Sequence, residues 1–256
     1  MQKIIRVKDV IIGQGKPKIC VPIVGSTLEE INIAVEAIKA YEVDLVEWRV
    51  DFFNQVTSIL EVIEMLKQIK NKIENIPIIF TFRTEHEGGN KPLDLSTYKA
   101  LYQAVIKTNY IDLIDIELFL PDSIRDELID HAKQNNIAVI LSNHDFQQTP
   151  TKQEIINRLT LAQETGADIA KIAVMPKTPA DVLVLLDATY TMKEKYAQVP
   201  IITMAMAQLG MLTRATGEIF GSSVTFASIT ESSAPGQVNI EELKQIVDIF
   251  SLNKDK

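Results

Sequence analysis

Several of the reactive groups in this chain stand inside or at the ends of short apolar runs. In "ADIAKIAVMP" (167–176), Lys171 shares a face with Ile169 and Ala173 if the run is a strand. A lysine ammonium is strongly hydrated and costly in such a setting without a partner. A desolvated amine close to other cations sheds its proton more readily, and the free amine attacks carbonyls to give a Schiff base. The protonated imine then acts as an electron sink and acidifies the adjacent carbon. The other reading is a lysine that snorkels, or that pairs with Asp115 or Glu117.

Other polar groups recur at the ends of apolar runs. In "DLVEWRVD", Leu45, Glu47 and Arg49 share one face, and Val46, Trp48 and Val50 the other. Glu47 and Arg49 then point inward, as site residues or as an ion pair satisfying itself. "FTFRTEHEGG" puts Thr81 and Arg83 on one face and Glu87 in the loop beyond, with His86 assigned to solvent. In "IDLIDIEL", Asp115 and Glu117 project to one side. They could hold a metal; pairing with inward cations such as Arg49 and Lys171 is the favoured reading. "VILSNHDF" ends on Ser142 and His144, and a lone histidine there is either structural or catalytic. "IITMAMAQLGMLTR" supplies Met204 and Met206 for an apolar wall or core filling, then Arg214. "ASITESSAPGQVN" has no periodicity, so residues 228–238 are a candidate lid or an ordinary loop.

These groups must be positioned by the elements that carry them. Strands are predicted at Ile19–Val24, Leu45–Val50, Ile78–Phe82, Ile111–Ile116, Ala138–Leu141, Ile169–Val174, Pro200–Thr203 and Ser223–Ala227. Helical spacing follows each one, at 27–40, 57–75, 96–107, 121–135, 152–165, 179–196, a short segment near 207–215, and 240–251. Eight strand–helix units in about 250 residues predict a single α/β domain over 1–256, a (β/α)8 TIM barrel. The competitor, an open doubly wound sheet, wants a glycine-rich first turn that is absent here. "IIRVKDVIIG" predicts an N-terminal β-hairpin (1–15) closing the bottom of the barrel. In such a barrel the chemistry sits at the C-terminal strand ends, which is where the polar groups converge.

Composition narrows the function classes. The net charge of −8 disfavours nucleic acid, although a local cation cluster can still hold a small anion. No apolar run reaches membrane-span length, and the N-terminus has no signal-peptide pattern. The one cysteine, Cys20, is expected in a buried strand, and a cytoplasmic location fits. "GQGKPK" (13–18) is a poor phosphate loop because it precedes a strand and lacks the spacing.

Taken together, "VEWRVDFF", "FTFRTEHEGG", "IDIEL", "LSNHDF", "ADIAKIAVMP", "ITMAMAQLGMLTR" and "FGSSVTFASITESSAPGQ" resemble the type I 3-dehydroquinate dehydratases over nearly the full length. The resemblance implies dehydration of 3-dehydroquinate to 3-dehydroshikimate, without metal or cofactor, in a homodimer. It implies that Lys171 is the Schiff-base lysine, His144 the general acid/base and Glu87 the carboxylate orienting it. Arg214 would clamp the substrate carboxylate, and Glu47, Arg49 and Arg83 would bind ring hydroxyls. Ser233 and Gln237 would be lid contacts, with Met204, Met206 and Ala234 as apolar wall. Pro22 stands where many members carry a serine, which bears on one minor contact. Competing classes are a Schiff-base aldolase on a similar barrel, a metal-dependent enolising enzyme using Glu47, Asp115 and Glu117, and a non-catalytic binding protein.

Overall fold

The computed structural model describes residues 3–229, 234 and 236–252. Their order begins with a short antiparallel hairpin, β1 (Ile5–Val7) and β2 (Val10–Ile12). Strand–helix units follow: β3 (Lys18–Ile23) and α1 (Leu28–Ile38), β4 (Leu45–Arg49) and α2 (Ile59–Lys72), β5 (Ile78–Thr81) and α3 (Leu95–Ile106), β6 (Leu113–Glu117) and α4 (Asp122–Gln134). Next come β7 (Ala138–Asp145) and α5 (Lys152–Thr165), β8 (Ile169–Val174) and α6 (Pro179–Lys195), and β9 (Ile201–Ala205) with the short helices α7 (Met211–Ala215) and α8 (Gly217–Phe220). The chain ends with β10 (Val224–Ser228), β11 (Val238–Asn239) and α9 (Ile240–Ile249).

This is an α/β fold with a central parallel sheet surrounded by helices, in the order β11-β10-β3-β4-β5-β6-β7-β8-β9. β9 also meets the segment entering β10: Ile201 and Ser222 form a parallel bridge, and the Ser223 N–H donates to the Ile201 carbonyl at 2.8 Å.

Alternation along each strand divides the apolar residues into two sets. Val46, Trp48, Val50, Phe80, Ile114 and Ile172 turn outward and pack under the helices. Cys20, Leu45, Ile79, Leu113, Ile140, Ile169, Ile202 and Val224 turn inward near the N-terminal strand ends. Ile5, Val7 and Ile12 of the hairpin join this inner cluster. The inward residues further along the strands are mostly polar: Glu47, Arg49, Thr81, Asp115, Glu117, Ser142, His144 and Lys171.

Three aspartates before alternate strands fix the neighbouring strand starts. Asp44 accepts the Ile19 N–H at 2.7 Å, Asp112 the Ile78 N–H at 2.9 Å and Asp168 the Val139 N–H at 3.1 Å.

β7 runs four residues beyond its expected end at Leu141. Ser142, Asn143, His144 and Asp145 continue the ladder opposite Lys171, Ile172, Ala173 and Val174. Ser142, Asn143 and His144 find buried or half-buried partners in Asp115 and Glu87, which lets polar residues stay in the sheet.

Candidate active site

Lys171 is buried, with its side chain only 5% exposed. Its Nζ lies 2.9 Å from Asp115 Oδ2, 3.5 Å from Glu47 Oε1 and 4.9 Å from the centre of the Phe226 ring. The costly ammonium of the sequence reading thus has partners: Asp115, as one alternative expected, and Glu47 in place of Glu117. Glu47 is held in turn by the Thr81 hydroxyl at 2.9 Å.

Arg83 organises the carboxylates. Its Nη2 donates to Asp115 Oδ1 at 2.7 Å, and its Nη1 donates to Ser142 Oγ at 2.9 Å and to Glu117 Oε1 at 3.2 Å. Ser142 donates to Asp115 Oδ1 at 2.6 Å. Burial opposes ionisation of Asp115, yet Arg83 and Lys171 hold its carboxyl well below the usual range. Asp115 and Glu117 therefore do pair with inward cations, but the cations are Arg83 and Lys171. Arg49 instead forms a two-pronged contact with Asp51, Nε to Oδ1 and Nη2 to Oδ2, both at 2.8 Å. Arg83, placed among substrate ligands by the resemblance, does reach the pocket, with its guanidinium engaged by this network.

His144 follows Ser142 on the inward face of β7. Its Nδ1 lies 2.9 Å from Glu87 Oε2, and the same oxygen accepts the His144 backbone N–H at 3.0 Å. This leaves the Nε2 edge of the ring for a ligand, and the side chain is 12% exposed. Burial, Arg83 and Lys171 hold His144 well below its ordinary value, so the imidazole is uncharged near neutrality. Burial and the Glu117 charge push Glu87 upward, to about 8.

Glu87 reaches His144 because of the glycine turn after it. Gly88 has φ +81°, and a Cβ there would strike the Phe146 ring; a Cβ on Gly89 would fall 1.8 Å from the Arg83 carbonyl oxygen. "EGG" is thus a required tight turn. His86 is exposed, as expected.

These groups line one pocket. Glu47, Arg49, Arg83, Glu87, His144 and Lys171 form its polar side. Met204, Met206, Ala173, Phe226 and Ala234 give apolar surface. Arg214, buried on α7, and Gln237 complete it. Burial lowers Arg214 to about 10, and its Nη1 lies 3.7 Å from Met204 Sδ. Of the expected site residues, Ser233 lies outside the described residues, as does part of the loop 228–238.

Sequence reasoning missed Phe226 and Phe146 in the pocket and Asn143 behind it. Phe226 was legible as an inward residue of β10; Asn143 carried no signal, since alternation turns it away from His144. Among the described residues no group of three or more His, Cys, Asp or Glu is placed to hold a metal ion. Glu47, Asp115 and Glu117, weighed as ligands, each face Lys171 or Arg83. Cys20 is buried among the inner apolar cluster, as expected.

Sequence and fold both match known proteins. The family model for type I 3-dehydroquinase matches residues 19–254. The 3-dehydroquinate dehydratase of Syntrophotalea carbinolica is 48% identical over 248 residues, covering 97% of this chain and 98% of the relative. That of Bacillus subtilis is 47% identical, covering 98% of both. The crystal structure of the type I 3-dehydroquinate dehydratase from Clostridium difficile with covalently modified comenic acid superimposes with a TM-score of 0.95, at 46% identity, covering 97% of this chain and 98% of that one. Agreement of this extent in sequence and fold leaves one assignment: the chain belongs to the type I 3-dehydroquinase family.

Proposed function

We infer that the protein dehydrates 3-dehydroquinate to 3-dehydroshikimate, the third step of the shikimate pathway, through an imine on Lys171. The observation that carries this reading is one buried pocket holding an amine on β8 and an uncharged histidine on β7 whose Nδ1 is engaged by Glu87.

Attack requires the neutral amine. Asp115 and Glu47, in contact with Nζ, and His144 are the groups placed to take its proton. Nζ adds to the C3 ketone, and loss of water from the adduct gives a protonated imine. His144 Nε2 then removes the C2 proton, and the C–H electron pair moves into the imine to give an enamine. The enamine expels the C1 hydroxyl, which leaves as water with the proton that His144 carries. A second water hydrolyses the conjugated imine and releases product and free amine, so the net change is loss of one water. Arg214 clamps the substrate carboxylate, a task suited to a planar guanidinium. Glu47, Arg49 and Arg83 face the ring hydroxyls, and Met204, Met206 and Ala234 pack its carbon face. Gln237 contacts it from the pocket rim, and the family resemblance adds Ser233 as a further contact.

The sheet is read as a closed (β/α)8 barrel forming one domain over 1–256, with the N-terminal hairpin plugging its bottom. The bridge from β9 to Ser222 and the hairpin's place in the inner cluster support this. The enzyme acts without a cofactor, its cysteine usage fits the cytoplasm, and the family resemblance implies a homodimer. No helix among the described residues is long and apolar enough to cross a membrane.

The test is turnover. Purified protein mixed with 3-dehydroquinate is expected to generate the ultraviolet absorbance of a conjugated enone, with or without chelator. Absence of that product under both conditions would overturn the assignment.

A further inference from the structure

Behind the Glu87–His144 pair, on the side away from the pocket, two residues continue the hydrogen-bond chain. Asn143 Nδ2 donates to Glu87 Oε1 at 3.0 Å. Asn143 Oδ1 accepts from Arg158 Nη1 of α5 at 2.9 Å. Neither residue lines the pocket. We propose that Arg158 and Asn143 are positioning residues that help keep Glu87 a carboxylate, so that His144 carries its proton on Nδ1 and leaves Nε2 as the free base. The proposal rests on the reading of His144 as the base of the dehydration.

The orientation of the chain follows from what each group can do. A guanidinium only donates. The Asn143 atom facing Arg158 must therefore be its oxygen, which turns the amide NH2 toward Glu87. Arg158 is itself fixed, with Nε on Glu154 Oε1 at 2.7 Å, Asp145 Oδ2 at 3.5 Å from Nη1, and its guanidinium 5.9 Å from the centre of the Phe119 ring. Glu87 thus receives one obligate donor on each oxygen: Asn143 Nδ2 on Oε1 and the His144 N–H on Oε2. Arg83 Nη1 stands 3.5 Å from Oε2.

The Glu87–His144 pair has two relevant states, which differ by one proton exchanged with solvent. With that proton bound, Glu87 is a carboxylic acid donating to Nδ1 and the ring carries Nε2–H, which cannot act as a base. Without it, Glu87 is a carboxylate accepting from Nδ1–H, and Nε2 has a lone pair facing the pocket. Burial and the Glu117 charge favour the first state, and every donor aimed at Glu87 favours the second. If Arg158 is removed, the Asn143 amide is free to turn and present its oxygen to Glu87, reversing one of those contributions. A hydrogen bond to a charged group is worth roughly 10- to 100-fold in an equilibrium of this kind.

The direct test needs no substrate. The chain has three histidines, so 15N-histidine-labelled protein gives three ring systems, which His86→Asn and His131→Asn assign. As pH rises through about 8, wild-type His144 is expected to pass from Nε2–H to a protonated Nδ1 and an unprotonated Nε2. Arg158→Met is expected to move that transition up by about one pH unit and to lower kcat about 10-fold below it with KM within about twofold, while Arg158→Lys, which keeps a donor, restores most of both. A wild-type ring that keeps Nε2–H up to about pH 10 overturns the proposal, even if the variants fail to fold. So does an Arg158→Met transition at the wild-type pH with unchanged kcat. If wild-type protein fails to turn over 3-dehydroquinate, the functional reading fails instead, and the tautomer measurement still reports on the chain.

Discussion

Lys171 Nζ and Asp115 Oδ2 lie 2.9 Å apart in an ion pair whose side chains are 5% and 0% exposed. Asp115 shares its charge with Arg83, whose Nη2 lies 2.7 Å from the other carboxylate oxygen. A buried carboxylate between two cations holds the floor of the pocket together. Removing it leaves both cations short of counter-charge.

Asp115→Asn is therefore expected to lower stability by about 3 to 5 kcal/mol, the cost of breaking a buried charge pair from one side. Urea unfolding of variant and wild type measures this. A loss below about 1 kcal/mol would mean that Asp115 is not the counter-ion the geometry describes.

The acid limb of kcat/KM reports uptake of a proton by the Glu87–His144 pair in the free enzyme. Burial, Arg83 and Lys171 keep that proton off the imidazole, so it goes to Glu87, which burial and the Glu117 charge push up to about 8. The limb is therefore expected above about 6.5, the ordinary histidine value. A pH–rate profile with its acid limb at or below that value would contradict the electrostatics of the site.

Arg214→Ala is expected to raise KM roughly 30-fold or more, with a smaller change in kcat, because a charge-assisted contact to the substrate carboxylate is lost. Arg214→Lys should recover only part of this, since an ammonium cannot make the two-pronged contact. Steady-state kinetics separates the two parameters. An unchanged KM would remove Arg214 from the substrate's carboxylate.

Much of this site was legible before any coordinates, because period-two alternation sorts inward from outward residues. Val46 and Trp48 against Glu47 and Arg49 on β4 is the simplest case, and Lys171 between Ile169 and Ala173 on β8 is another. Partner choice was less legible. Arg49 and Arg83 are both inward cations near strand ends, and only the turn beyond β4 brings Asp51 back onto Arg49 and leaves Asp115 and Glu117 to Arg83. The extension of β7 beyond Leu141 was hidden for a related reason, since Ser142, Asn143 and His144 are satisfied by groups distant in sequence. Asn143 was invisible because it faces away from the pocket and acts through Glu87.

The central claim is that Lys171 forms an imine with substrate, and reductive trapping tests it most directly. Wild-type protein treated with 3-dehydroquinate and borohydride, then digested and mapped by mass spectrometry, should carry a reduced adduct on Lys171 and lose activity in step with labelling. Lys171→Ala should give neither adduct nor turnover. No adduct in an active wild type, or an adduct elsewhere with Lys171→Ala still active, would contradict the account.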